Sequence, residues 1–125
     1  MILLIDAHAL LWALGPQAEL ADDARRALVD PANEVLVSAA SVWEIAIKRA
    51  LGKLRAPQGI GAAVEALGFS ILPITGADAE HAGALPPHHR DPFDRMLVAQ
   101  AMRLDATIVS RDRAFDRYGT PILRA

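Results

Sequence analysis

Four carboxylates, those of Asp6, Glu44, Asp94 and Asp112, stand at places in this sequence where a shared metal site could form. They are far apart along the chain, so only the fold could bring them together. If it does, the carboxylates would repel one another and raise one another's pKa unless a cation neutralised them. Hard oxygen ligands select Mg²⁺, with Mn²⁺ as a substitute, over zinc, and bound Mg²⁺ commonly contacts a substrate phosphate. The implied substrate is a phosphate ester.

Each acid also has a purely structural explanation, because helix amino ends favour acidic side chains. Asp6 could cap a first helix, and Asp112 could cap a last one. The segment Ser41-Val42-Trp43-Glu44 has the pattern of a capping box, and Asp91 precedes Pro92 as a cap precedes a proline at the first helical position. Capping can account for any one of these acids, but it gives no reason for all of them to meet.

The four histidines offer no recognisable alternative metal site. His88 and His89 are adjacent in a predicted loop, and His8 and His81 lack a ligand spacing. We interpret His8 as a packing residue or as a residue that supports a ligand.

The elements that must position the acids alternate between short apolar strands and helices. Strands are predicted at residues 2–5, 34–38, 69–74, 107–110 and 121–123, with Pro73 placing the third near a sheet edge. Helices are predicted at residues 7–14, 20–29, 40–51, 60–67, 77–85, 92–104 and 112–118. This alternation predicts an α/β sandwich with a mostly parallel sheet.

A parallel sheet would bring the four acids to one edge. The carboxyl ends of its strands and the amino ends of its crossover helices share that edge, and open α/β sheets bind ligands there. Asp6 follows the first predicted strand and Asp112 follows the fourth, whereas Glu44 and Asp94 lie early in helices. We therefore expect the four side chains to converge.

The length and composition of the chain exclude several classes of protein. The 125 residues suit one domain spanning 1–125, and 53% apolar with 22% charged residues excludes a disordered chain. A net charge of -2 argues against a protein that coats nucleic acid. With no cysteine, and with no segment suited to a signal peptide or to spanning a membrane, a cytoplasmic location is the default expectation.

The basic residues are unevenly distributed. Seven of the 13 lie in the last 36 positions, interleaved with acids. There they could form a salt-bridged face or a phosphate-binding rim around an acidic pocket.

Four segments of the chain resemble the PIN-domain ribonucleases, and more narrowly the VapC toxins of bacterial toxin-antitoxin pairs. They are LLIDAH at residues 3–8, SVWEIAIK at 41–48, RDPFDRMLVAQA at 90–101 and SRDRAF at 110–115. Each segment alone is a weak signal, whereas four in this order at these separations are a specific one. The resemblance covers nearly the whole chain.

The resemblance implies a PIN-like three-layer α/β/α sandwich and a metal-dependent endoribonuclease. The family's metal-binding acids map onto Asp6, Glu44, Asp94 and Asp112. They would hold Mg²⁺ and hydrolyse RNA phosphodiesters with a metal-activated water, leaving a 5′-phosphate and a 3′-hydroxyl.

Three further positions, in or directly beside the matching segments, also bear on the site. Ser110 stands where many relatives have threonine, a change that keeps the hydroxyl. Asp91 is either a helix cap or a further site acid, and Asp116 is either a fifth acid or a surface charge.

The resemblance also implies two protein partners. One is a VapB-type antitoxin that covers the site, and the other is a second copy of the chain in a homodimer. The apolar first and third predicted helices could supply the interfaces, or their apolar side chains could simply belong to the core. These side chains include Leu10, Leu11, Trp12, Trp43 and Ile47.

Two other functions are alternatives to the nuclease. A phospho-acceptor signalling domain also has acids at strand ends, but it would need a lysine near its last strand, and the only lysines are Lys48 and Lys53. A catalytically idle interaction protein could share the fold. The complete set of four acids favours the nuclease.

Overall fold

The computed structural model describes all 125 residues, and its central element is a five-stranded sheet. The strands are β1 (Ile2–Ile5), β2 (Glu34–Ser38), β3 (Ser70–Leu72), β4 (Thr107–Ser110) and β5 (Ile122–Arg124). They lie in the order β3-β2-β1-β4-β5, and all four pairs are parallel. The predicted parallel sheet is confirmed, so every strand's carboxyl end lies on the same edge.

Six α-helices connect and cover the strands. They are α1 (Ala7–Leu14), α2 (Asp22–Val29), α3 (Ala39–Ala50), α4 (Ile60–Ala66), α5 (Gly76–Ala84) and α6 (Pro92–Leu104). Two 3₁₀ segments, Gln17–Glu19 and Arg113–Tyr118, complete the chain, and the second replaces the last predicted helix. None of the helices is both long and apolar enough to cross a membrane.

Two elements differ from the prediction by two residues at one end, for identifiable reasons, whereas α3, α4, α5 and β5 differ by one residue at one or both ends. The second helix begins at Asp22 rather than at residue 20, because Leu20 and Ala21 have extended backbone angles after the first 3₁₀ segment. The third strand covers Ser70–Leu72 rather than residues 69–74, since Pro73 has no N–H to donate. As predicted, that strand lies at an edge of the sheet.

The side chains of β1 divide the core into two layers because successive residues of a strand face opposite sides. Leu3 and Ile5 belong to a cluster that includes Leu10 of α1. Leu4 belongs to a second cluster that includes Leu97 of α6. Helices therefore cover both faces of the sheet, and the predicted three-layer α/β/α sandwich is confirmed.

The strand order reverses at β1, in the centre of the sheet. Strands β2 and β3 lie on one side of β1, whereas β4 and β5 lie on the other. Such a switch point opens a crevice beyond the carboxyl ends of the two central strands. The backbone N–H of Asp6 donates to the carbonyl of Val109 at 3.1 Å, so the residues that follow β1 lie beside the end of β4.

An ion pair between a buried aspartate and an exposed arginine joins α5 to α6. Asp78 forms a capping box with Thr75 at the start of α5 and binds Arg103 of α6 at 2.6 Å. The hydrogen bond from Arg103 is the main cause that lowers the pKa of Asp78 to about 2, although burial acts in the opposite direction. This contact holds α5 against the helix whose first turn carries Asp94.

Candidate active site

Asp6 lies directly beyond β1 and begins α1. Its Oδ1 accepts a hydrogen bond from the Ala9 backbone at 2.8 Å, so the predicted helix cap is confirmed. Its Oδ2 accepts a hydrogen bond from the Ser110 hydroxyl at 2.5 Å. Burial raises the pKa of Asp6, although both hydrogen bonds act in the opposite direction. The carboxylate thus caps a helix and also faces the crevice.

Glu44 lies in the second turn of α3, not at its start. The helix begins at Ala39, and its cap is Ser38, whose hydroxyl accepts from the Ala40 backbone at 3.1 Å. The capping-box explanation of Glu44 is therefore wrong. Glu44 is only 7% exposed, and its Oε2 accepts from Lys48 Nζ at 2.8 Å. This hydrogen bond is the main cause that raises the pKa of Lys48.

Asp91 and Asp94 lie at the start of α6. Asp91 is the helix cap, and its Oδ1 accepts from the backbones of Phe93 at 2.8 Å and Asp94 at 3.2 Å. Burial is the main cause that raises the pKa of Asp94 to about 7, and the charge of Asp91 is the next. The charges of Glu44 and Asp6 raise the same pKa further. The pKa of Asp94 is therefore raised by the cap of its own helix and by two acids from distant parts of the sequence.

Asp112 follows β4 and is the most exposed of the four predicted acids, with 47% of its side chain accessible. It caps the second 3₁₀ segment by accepting from the Ala114 backbone at 2.9 Å. Its own backbone N–H donates to the Ser110 hydroxyl at 3.0 Å. Because that hydroxyl donates to Asp6, Ser110 connects two of the acids.

His89 lies between Asp94 and Asp112, a position that the sequence analysis did not predict. Its Nε2 lies 2.7 Å from Asp94 Oδ2 and 3.4 Å from Asp112 Oδ2. Its Nδ1 accepts from the Asp91 backbone at 3.3 Å. The signal available in the sequence was its place two residues before a helix cap, in the loop that leads into the site. The neighbouring His88 is exposed and packs on Tyr118.

The predicted acids line one cleft of about 370 Å³ at the carboxyl edge of the sheet. Its lining comprises Asp6, Glu44, Asp91, Asp94 and Asp112, together with Ala7, His8, Trp12, Lys48 and Arg111. A larger cavity of about 550 Å³ lies at the amino ends of the strands, and residues at the starts of β2 and β3 line it. We place the candidate site in the smaller cleft because the acids converge there.

Asp116 is not part of the cleft. Both of its carboxylate oxygens accept from Arg124 at 2.6 Å, and its side chain is 42% exposed. The structure therefore supports the surface-charge interpretation of Asp116. Asp91, in contrast, is a helix cap that also lines the cleft.

The arginines near the end of the chain have several different roles. Arg103 and Arg124 form ion pairs, as in a salt-bridged face. Arg111 lines the cleft, with its guanidinium 4.2 Å from the centre of the Trp12 ring. Arg95 neither forms an ion pair nor lines the cleft. Its two terminal nitrogens instead donate to five backbone carbonyls, those of Ala82, Gly83, Leu85, Pro86 and His89.

The donor set fits a hard divalent cation. Carboxylate oxygens are the ligands that Mg²⁺ and Mn²⁺ prefer in proteins. The raised pKa values of Asp6 and Asp94 indicate that charge on these acids is unfavourable without a cation. A divalent cation would remove that penalty, and the carboxylates of Asp6, Glu44, Asp94 and Asp112, which line the cleft, could hold it.

Comparison with known proteins identifies one family and several similar structures. A family model described as "PIN domain" matches residues 3–121. The structure of VapBC2 from Rickettsia felis bound to a promoter DNA fragment is 15% identical, covers 99% of this chain and 98% of its own, and has a TM-score of 0.70. No curated protein sequence matches the chain significantly.

Two further solved structures have similar coverage. FitAcB from Neisseria gonorrhoeae is 20% identical over 98% of this chain and 96% of its own, with a TM-score of 0.61. FitAB bound to an IR36 DNA fragment is 21% identical over 99% of this chain and 94% of its own, with a TM-score of 0.60. At these identities the likeness concerns the fold.

Proposed function

Because this chain belongs to the PIN domain family, we propose that it is a Mg²⁺-dependent endoribonuclease that acts as the toxin of a toxin-antitoxin pair. PIN domains are generally nucleases. The observation that carries the proposal is the convergence of acids from four separate segments in one cleft. These acids are Asp6, Glu44, Asp94 and Asp112.

The chain's own residues would prepare the site before substrate binds. Ser110 and the start of α1 fix the two oxygens of Asp6, and Lys48 binds one oxygen of Glu44. His89 binds Asp94. When present, a divalent cation would neutralise the scissile phosphate and lower the pKa of a water for in-line attack. The protein's contribution is thus positioning and electrostatics.

A basic segment, defined as residues 48–55, extends from the cleft and suits an RNA backbone. Lys48 lines the cleft, and Arg49, Lys53 and Arg55 follow it in exposed positions. None of the last three is in an ion pair, and the sequence contains no acid between Glu44 and Glu65. Exposed cations without an ion-pair partner, which follow a cleft residue in the chain, would bind RNA phosphates outside the cleft.

A VapB-type antitoxin and a homodimer are the proposed protein partners, following the resemblance to VapC toxins. Of the residues considered for interfaces, Leu10 is fully buried core, whereas Trp43 is 61% exposed. Trp43 and the partly exposed Ile47 lie one turn apart on α3, and the Trp43 ring packs against Phe93 at 5.3 Å. This part of α3 is the best candidate for the dimer interface.

The phospho-acceptor alternative gains no support from the structure. Lys48 lies on α3 beside Glu44, and Lys53 follows that helix, so neither belongs to the last strand. The catalytically idle alternative differs from the nuclease in a measurable property, since it predicts no affinity for divalent cations.

The direct test is cleavage of labelled single-stranded RNA by the purified chain. We expect cleavage with Mg²⁺ or Mn²⁺, none with EDTA, and recovery when Mg²⁺ is added in excess. The expected products carry a 5′-phosphate and a 3′-hydroxyl. Cleavage that continues in EDTA would contradict the metal-dependent mechanism, and absence of any cleavage or cation binding would favour the idle protein.

A further inference from the structure

We propose that His89 is a positioning residue that orients the carboxylates of Asp94 and Asp112 for a divalent cation without binding the cation itself. The inference rests on the proposed function, because it concerns the same cleft. It adds a residue that the four-acid site does not include and assigns that residue a defined hydrogen-bonding role.

The position of His89 is the first observation. Its Nε2 lies 2.7 Å from Asp94 Oδ2 and 3.4 Å from Asp112 Oδ2, and its side chain is only 16% exposed. The two acids come from different elements, since Asp94 is in α6 and Asp112 follows β4. The imidazole therefore lies against acids of two separate elements and is placed to orient one relative to the other.

The hydrogen bonds of the imidazole define which nitrogen carries the proton. Nδ1 accepts from the backbone N–H of Asp91 at 3.3 Å, so in the neutral ring the proton is on Nε2. Nε2 therefore donates to Asp94 Oδ2. A nitrogen that carries a proton has no lone pair for a metal.

This assignment distinguishes a donor from a ligand. The nearest ligand atoms of His89, Asp94 and Asp112 all lie within 4.8 Å of one another, so distance alone would allow the three to share an ion. The proton on Nε2 argues against that arrangement. A hydrogen bond to a ligating carboxylate instead orients the carboxylate and leaves its other oxygen for the cation.

The loop that carries His89 is held by two other elements. The Tyr118 hydroxyl accepts from the His89 backbone at 3.0 Å and donates to the Pro86 carbonyl at 2.8 Å. Arg95 donates to the His89 carbonyl at 3.3 Å, and the His89 ring packs against Phe115. The second 3₁₀ segment and α6 thus fix the ring, as a positioning role requires.

The test measures cation affinity rather than cleavage. Isothermal titration with Mn²⁺ and with Mg²⁺ compares the unmodified protein with His89→Ala, His89→Gln and His88→Ala. We expect His89→Ala to bind either cation roughly 10- to 100-fold more weakly, the usual effect of losing a partner behind a metal ligand. His89→Gln keeps an N–H donor and should recover part of the loss. His88→Ala removes the exposed neighbour and should have no effect.

Pulsed electron paramagnetic resonance with Mn²⁺ separates the donor from the ligand. The proposal predicts no directly bound nitrogen in the unmodified protein, and a strong ¹⁴N coupling that disappears in His89→Ala would overturn it. Unchanged or tighter cation binding by folded His89→Ala would also overturn it. If His89→Ala does not fold, His89→Leu fills the same space without a donor and takes its place.

The proposed function and the positioning role can fail separately. If the unmodified protein binds cation and cleaves RNA while His89→Ala binds cation equally well, only the positioning role is overturned. If the unmodified protein binds no divalent cation, both are overturned.

Discussion

Ser110 donates a hydrogen bond to Asp6 at 2.5 Å, although 104 positions separate the two residues in the sequence. The hydroxyl is fully buried and also accepts from the backbone of Asp112. One side chain at the end of β4 therefore sets the positions of two acids in the cleft. The arrangement exists because β1 and β4 are adjacent and parallel.

Replacing Ser110 tests this connection. Ser110→Ala removes the donor to Asp6 and the acceptor for Asp112, so we expect weaker binding of Mg²⁺ and a loss of about 1 to 3 kcal/mol in the free energy of unfolding. Ser110→Thr is the matched control, because it keeps the hydroxyl. Titration calorimetry and urea unfolding measure the two effects. Equal cation affinity in the alanine and threonine variants would contradict the role of the hydroxyl.

The fold was predictable because its strands and helices have clear local signals. Apolar runs such as residues 2–5 and 107–110 became adjacent parallel strands, and placing the acids at one sheet edge followed from that topology. Local cues were misleading where two patterns overlapped. Ser41 to Glu44 spells a capping box, yet Ser38 three residues earlier caps the helix.

The parts of the site that were not predicted depend on long-range contacts. Nothing local to His89 indicates that its ring lies between Asp94 and Asp112, since the second acid arrives from beyond β4. Arg95 is one of the seven basic residues for which the sequence indicates a salt-bridged face or a phosphate-binding rim, whereas its guanidinium donates to carbonyls at the end of α5 and in the loop that follows. Sequence patterns identify which residues reach an edge, but not which side chains meet there.

The basic segment should control RNA affinity through salt-dependent contacts. Replacing Arg49, Lys53 and Arg55 together by alanine should weaken binding of a noncleavable single-stranded RNA. The plot of log affinity against log salt concentration should become shallower by about 2, at about 0.7 for each lost phosphate contact. Fluorescence anisotropy over a range of salt concentrations measures this slope.

The control for that experiment is the double variant Arg25→Ala, Arg26→Ala. These arginines lie on α2 and pair with Asp22 and Asp23, and Arg25 lines the cavity at the opposite edge of the sheet. The control should keep the salt slope of the unmodified protein. Equal slopes for the control and the triple variant would rule out the basic segment as the RNA-binding surface.

The Asp78–Arg103 pair predicts a defined dependence of stability on pH. Since the pKa of Asp78 is lowered to about 2 from 3.8, its contribution is present above pH 3.8 and is lost as pH falls through 2. Arg103 is 38% exposed, and solvent screening therefore reduces the expected effect. Arg103→Gln should be less stable than the unmodified protein at about pH 5, and most of the difference should disappear by about pH 2. Urea unfolding at both values is the measurement, and a constant difference would contradict the assignment.

Trp43 gives a test of the dimer. Because its large apolar side chain is 61% exposed on α3, Trp43→Glu should weaken self-association by about 2 kcal/mol or more if that surface is the interface. Analytical ultracentrifugation over a range of concentrations measures the change, with Met102→Glu on the exposed face of α6 as the control. A purely monomeric unmodified protein at high concentration would rule out the dimer.

The most direct measurement compares Asp94→Asn with Asp116→Asn in Mg²⁺-dependent RNA cleavage. Both variants replace one carboxylate by an amide, but Asp94 lies in the cleft and Asp116 lies outside it, paired with Arg124. Asparagine should not lower the stability at position 94, since burial already disfavours charge there. We expect Asp94→Asn to stay folded and lose cleavage by at least about 100-fold, equivalent to about 2.7 kcal/mol or more of transition-state stabilisation, while Asp116→Asn cleaves normally. Undiminished cleavage by folded Asp94→Asn would contradict the assignment of the acidic cleft as the active site.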